Sequence, residues 1–136
     1  MKYNHFTDRE FYQSLEEHEI NDVIFSDTLR DNRDELRAIL NTIRDALGQP
    51  IIITSWYRDA MHNKKAGGVQ NSQHLDGSAV DISARNNALL LSTIQSLCKH
   101  GLLELGQVIS YGRTSIRFIH ISLPTRGKVN QFLQYD

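Results

Sequence analysis

Apolar positions along the chain fall into two periodicities. Leu29, Leu36, Ile39, Leu40, Ile43 and Leu47 recur at three- and four-residue steps, the spacing that lines side chains along one stripe of a helix. Arg30, Arg33, Asp34, Arg37 and Arg44 occupy its other faces. Gly48 and then Pro50 predict the stop, since glycine tolerates a left-handed cap and proline cannot extend a helix. Upstream, Thr7-Asp8-Arg9-Glu10 has the form of a capping box, with Phe6 and Phe11 placed as a hydrophobic staple. A first helix from Asp8 to Glu17 follows. Leu90, Ile94, Leu97 and Cys98 mark a third helix, which Gly101 ends.

The other periodicity is that of strands. Ile51-Ile52-Ile53-Thr54 is a β-branched run, expected to be buried on both faces. Ala79–Ser83, Val108–Tyr111 and Ile116–Ile121 are further candidates, the last two joined as a hairpin through residues 112–115. Residues 55–78 read as loop with one helical turn at Ala60–Lys65. Early helices and late strands predict an α+β fold with a mostly antiparallel sheet. No repeat or linker divides the chain, so residues 1–136 are expected to form one domain.

Composition narrows the function more than the fold. Hydrophobic residues at 40% and charged residues at 23% are ordinary for a globular protein. The formal net charge is −1 and no basic stripe occurs, which argues against a nucleic-acid partner. A single cysteine, Cys98, excludes an intramolecular disulfide and multi-cysteine zinc sites. Its place on an apolar helix face marks it as core. No run is long and apolar enough for membrane insertion. The N-terminus lacks a secretory-type apolar stretch, so the chain is expected to be made in the cytoplasm without a signal peptide.

The densest chemistry lies in Ser72-Gln73-His74-Leu75-Asp76-Gly77-Ser78-Ala79-Val80-Asp81-Ile82. Asp81 sits between Val80 and Ile82, where an inward carboxylate is costly unless it is paired or bound to metal. His120 repeats the situation in Phe118-Ile119-His120-Ile121-Ser122. Two imidazoles and one carboxylate are a known catalytic zinc set that leaves a fourth position for water. On spacing alone the plainer alternative stands beside it: a strand histidine bonded within the core, and an aspartate serving as a cap. His62 is close enough in sequence to be an alternative ligand. His5, His18 and His100 are expected at the surface or in loops.

Residues 51–82 resemble the D-alanyl-D-alanine metallopeptidase family, which includes zinc D,D-carboxypeptidases and L-alanyl-D-glutamate endolysins. The matching elements are Ser55-Trp56-Tyr57-Arg58, Asn63-Lys64, Gly67-Gly68, Ser72 through Asp81, and the closing His120-Ile121-Ser122. The likeness extends over about residues 26–123. It implies a Hedgehog-like fold, Zn2+ held by His74, Asp81 and His120, and a peptidoglycan peptide as substrate. It also implies that Arg58 meets the substrate carboxylate or the scissile carbonyl, as a guanidinium fork is suited to do. Ser72 either bonds near metal or substrate or braces its loop. Trp56 replaces the usual glycine and is expected to pack.

One part of the family pattern is absent. The acid that several branches place three residues before the last histidine is Arg117 here, and the Gln107-Val108-Ile109 segment leads to Ser110 and Tyr111 rather than to glutamate. Tyr111, Asp76 and Glu104 remain as candidates for proton transfer. Tyr111 and Arg58 are the candidate catalytic residues, although a phenol of pKa about 10 is a poor base. The expected function is a zinc peptidase cutting stem-peptide bonds that involve D-amino acids, either D,D-carboxypeptidase or L,D-endopeptidase. It would reach the cell wall by holin release or with a virion. The alternative is a non-catalytic zinc-containing binding or virion module on the same fold.

Overall fold

The computed structural model describes residues 4–136. Five helices and five strands follow in the order α1 (Asp8–Tyr12), α2 (Glu17–Ile24), α3 (Asp27–Leu47), β1 (Ile51–Ser55), α4 (Ala60–Lys65), β2 (Ala79–Ala84), α5 (Asn87–Lys99), β3 (Gln107–Tyr111), β4 (Phe118–Ser122) and β5 (Gln131–Tyr135). The strands form a single sheet in the order β1-β2-β4-β3-β5. Neighbours are antiparallel except β3 and β5, which run parallel. The fold is α+β with a mixed, mostly antiparallel sheet.

Helix α3 carries the stripe read from the sequence, with Leu29, Leu36, Leu40, Ile43 and Leu47 buried. Ser26 caps it, its Oγ accepting the Leu29 N–H at 3.1 Å. Leu90, Ile94 and Leu97 of α5 are buried as well. Both helices join Ile53, Val80, Ile82, Val108, Ile119 and Ile121 in one core cluster. Those strand residues alternate with Asp81, Ile109 and His120, because successive side chains of a strand point to opposite faces. One face of the sheet is therefore covered by helices, and the other carries the polar positions.

Three expectations are corrected. The expected first helix, Asp8 to Glu17, ends at Tyr12, where the chain turns with the Leu15 N–H bonding the Tyr12 carbonyl at 3.0 Å, and α2, which was not expected, starts behind the Glu16 cap. Glu19 reaches back to the Glu16 N–H at 2.9 Å, a second capping box that competes with continuation of α1. Ile52 is 61% exposed rather than buried, while Ile51 and Ile53 are each 5% exposed. The reason is position: β1 lies at the edge of the sheet, and Ile52 falls on the face the helices do not cover. Strand β5 was not foreseen. It is a short, largely exposed edge strand whose apolar residues Phe132, Leu133 and Tyr135 do not alternate, so the two-residue period that marks a strand is missing.

Candidate metal centre

The site grows from one row of the sheet. Ser55 of β1 pairs with Asp81 of β2, Asp81 with His120 of β4, and His120 with Ile109 of β3. A bulge between Ile53 and Ser55 brings Ser55 into that row. Bulges re-aim the strand that carries them, and here the chain leaves β1 toward Arg58. His74 comes from outside the sheet, from a 3-10 turn over Gln73–Asp76. Ser72 caps that turn by accepting the His74 N–H at 3.1 Å, and the Gly77 carbonyl accepts the Trp56 indole N–H at 2.8 Å.

The three sequence-predicted ligands converge. His74 Nε2 lies 3.1 Å and His120 Nδ1 2.9 Å from the same oxygen, Asp81 Oδ1. One donor atom from each residue falls within 4.8 Å of the others. The two imidazoles meet edge to face at 5.1 Å. His74 Nδ1 faces the Trp56 carbonyl oxygen at 2.5 Å, an acceptor only, so Nδ1 carries a proton, and Nε2 is turned toward Asp81. That outer bond fixes the tautomer and ring orientation a metal-ligating histidine needs. Burial works against ionisation of Asp81, but hydrogen bonds from His120 and His74 outweigh it and hold the carboxyl well below the ordinary carboxylate range. A buried anion between two imidazole nitrogens matches the borderline donor set that suits zinc. The residues fit the group.

Arg58 stands beside the carboxylate's second oxygen, its guanidinium 3.2 Å from Asp81 Oδ2. Its Nε–H donates to Ser55 Oγ at 3.1 Å and its Nη1 to Asn63 Oδ1 at 3.4 Å. Asn63 is buried and also donates to the Val69 carbonyl at 2.8 Å. A Cβ at Gly68 would lie 2.1 Å from Asn63 Oδ1, so a larger residue there would push Asn63 away from Arg58. Behind Arg58, helix α2 holds the loop. Glu19, fully buried, accepts the Asp59 N–H at 2.9 Å and faces His62 Nδ1 at 2.9 Å, and Tyr57 donates its hydroxyl to Asp22 at 2.8 Å.

A cleft of about 480 Å³ opens over these groups, lined by Arg58, Ser72, His74, Asp81, Tyr111 and His120 among others. Tyr111 is stacked on Phe118 at 4.6 Å. Burial, and then the charge of Asp81, pushes its phenol upward, so it stands in the cleft as a protonated hydroxyl rather than a base. Asp76 and Glu104 do not line the cleft. Asp76 accepts from Ser78 at 3.0 Å and pairs with Arg126, and Glu104 is on the exposed surface. His62 faces Glu19 and is no ligand. Trp56 is packed, fully buried edge to face on Phe11 at 5.5 Å.

A family model described as Peptidase M15 matches residues 4–122. The chain belongs to the peptidase M15 family. It therefore joins the D-alanyl-D-alanine-carboxypeptidase-like metallopeptidases, and the buried His-Asp-His group is its candidate metal site. No curated protein matches the chain. The sequence reading had passed over Glu19 and Asp22, which brace the Arg58 loop, and over Arg126, Lys128 and Tyr135, which line the cleft. For Glu19 a signal existed, a glutamate three residues after a helix-starting position. Asp22 carries no such signal, and Arg126, Lys128 and Tyr135 reach the cleft only through the pairing of β5 with β3, which no local pattern marks.

Proposed function

We propose that this protein is a zinc-dependent peptidase that hydrolyses peptidoglycan stem-peptide bonds involving D-amino acids. The observation that carries the reading is the convergence of His74, Asp81 and His120 at the floor of a cleft that Arg58 shares. His74 Nε2, Asp81 and His120 Nδ1 would hold the ion. A bound zinc ion supplies Lewis acidity, which lowers the pKa of bound water and polarises a carbonyl. Arg58, anchored by Ser55 and Asn63, orients the substrate through a carboxylate or the scissile carbonyl oxygen. Tyr111 offers a hydroxyl proton to the oxygen that gains charge or to the departing nitrogen. Ser72 acts by holding His74 and faces the cleft beside it. Stem peptides place the site of action at the cell wall, which the protein reaches by holin release or with a virion.

A second reading has its own observation. Asp81 is the only carboxylate among the described cleft-lining residues, and it is a ligand in the first reading, so no acid stands ready to take a proton. The second reading is a zinc-containing module that binds stem peptides without cutting them. Metal analysis with a muropeptide digest read by mass spectrometry separates the two. The peptidase binds one zinc per chain and releases shortened peptides, and His74→Ala loses both properties. A zinc-loaded protein that binds muropeptides and leaves every one intact would establish the module instead.

A further inference from the structure

The charge of the cleft does not follow that of the molecule. The whole chain is at −1, yet its cleft is lined by Arg58, Arg126 and Lys128 against the single carboxylate of Asp81. Clefts lined by one sign of charge focus the field and draw in ligands of the other. Arg58 is already paired with Asp81. The other two cations come from the loop between β4 and β5, residues 123–130.

Strand register places that loop. It leaves β4 at Ser122 and enters β5 at Gln131, which pairs with Gln107 at the start of β3. Both cations thus stand at one end of the open sheet face. Tyr111, Phe118 and Tyr135 stand at the other, and the Asp81–His120–Ile109 row lies between. The loop is well anchored. Asn130 exchanges two hydrogen bonds with the Leu105 backbone, at 2.6 and 2.8 Å. Gln73 Nε2 donates to the Leu123 carbonyl and to Thr125 Oγ1, each at 3.1 Å. Arg126 donates to the Asn71 carbonyl and pairs with Asp76 at 3.3 Å. Lys128 makes no ion pair among the described residues and is exposed at the cleft. An anchored loop thus presents an ammonium that no internal anion neutralises.

We propose that Lys128, supported by Arg126, forms a second anion subsite that takes a carboxylate of the peptide substrate. This subsite lies at the β4–β5 end of the cleft, apart from the group that meets Arg58. It rests on the peptidase reading and deepens it: the preferred peptide is acidic, with a carboxylate displaced from the scissile bond along the strand direction. Both residues lie beyond residue 122, where the family match ends, so this preference resides in the C-terminal segment rather than in the matched region.

The test uses short stem-type peptides, identical except that each carboxylate in turn is free or amidated. Binding is measured calorimetrically on metal-free protein, where turnover does not intervene, and digestion is then followed with zinc. Amidation at one position should weaken binding about 10-fold, the scale of one charge-assisted contact. In Lys128→Gln the difference should shrink to about threefold or less, and with Arg126→Gln added it should vanish. It should also fall in high salt, as expected for exposed charges. Lys128 is exposed and makes no ion pair among the described residues, and a thermal melt of Lys128→Gln that matches the wild type separates loss of the difference from misfolding. A carboxylate held by Arg58 keeps its difference in both variants; equal binding of every free and amidated pair, or the absence of any position whose difference is lost in the double variant, overturns the subsite. Discrimination without cleavage would keep the subsite and sink the peptidase reading; cleavage without discrimination would do the reverse.

Discussion

Asp81 does three things at once. It bridges His120 of the sheet and His74 of the Gln73–Asp76 turn, accepts from Arg58, and remains ionised where burial alone would favour the neutral acid. Tyr111 stands two positions beyond Ile109 on the strand face that carries that row, and it lines the cleft. In the peptidase reading its raised pKa makes it a donor at neutral pH. Tyr111→Phe keeps the stack on Phe118 and removes only the proton. It should lower kcat by about 100-fold with KM changed by less than about threefold, the range for loss of one proton-transfer group. Steady-state kinetics on a cleaved muropeptide reads both constants. An unchanged kcat would remove Tyr111 from the chemistry. Asp81 and His120 were legible in the sequence as polar residues inside apolar runs, and His74 through the Ser72–Asp81 motif that resembles the metallopeptidase pattern. Tyr111 was legible only as the residue standing where an acid was missing.

Helix α2 shows what an element contributes without touching the site. Its Glu19 accepts the Asp59 backbone N–H and its Asp22 accepts the Tyr57 hydroxyl, so the residues on both sides of Arg58 are held. Burial first, and then the bond to Asp22, pushes the Tyr57 phenol above its ordinary value of 10.0. A group whose folded pKa is raised contributes stability that is complete below its unfolded pKa and lost as pH climbs past it. Wild-type protein should therefore lose stability as pH rises beyond about 10. Tyr57→Phe should be less stable by about 1 kcal/mol at neutral pH, the worth of one hydrogen bond, and show a flatter alkaline profile. Urea melts at a series of pH values read both effects. Two parallel profiles would show that Tyr57 is not the group responsible. The apolar pattern predicts a helix only as far as Glu17 and no element over residues 18–24, although the Glu16–Glu19 capping box that starts α2 is as local a signal as the Thr7–Glu10 one.

At the scale of the whole molecule, the candidate ligands come from a turn and two strands that meet only when the sheet is complete. An ion bound there ties the β2–β4 pair to the Gln73–Asp76 turn and favours the folded state by mass action. With zinc at about a hundredfold excess over its Kd, stability should rise by about 2.7 kcal/mol. Thermal or chemical melts with zinc and with a chelator measure the difference. His120→Ala should remove most of the gain. A gain that survives this substitution would place the ion elsewhere.

The sequence alone determined the amphipathic stripes of α3 and α5, the early-helix, late-strand order, and the residues that could ligate a metal, because each is written in local periodicity or in a short motif. The tertiary structure decided the rest. It chose the face of β2 on which Asp81 lies and exposed Ile52 by putting β1 at the edge. It also separated Tyr111, which lines the cleft, from Asp76 and Glu104, which do not. Finally, it brought Lys128 and Tyr135 to the cleft through a parallel pairing of β5 with β3. Such outcomes depend on register and on contacts between distant segments, and the free energy of those contacts is set by the whole sheet rather than by neighbours in the chain.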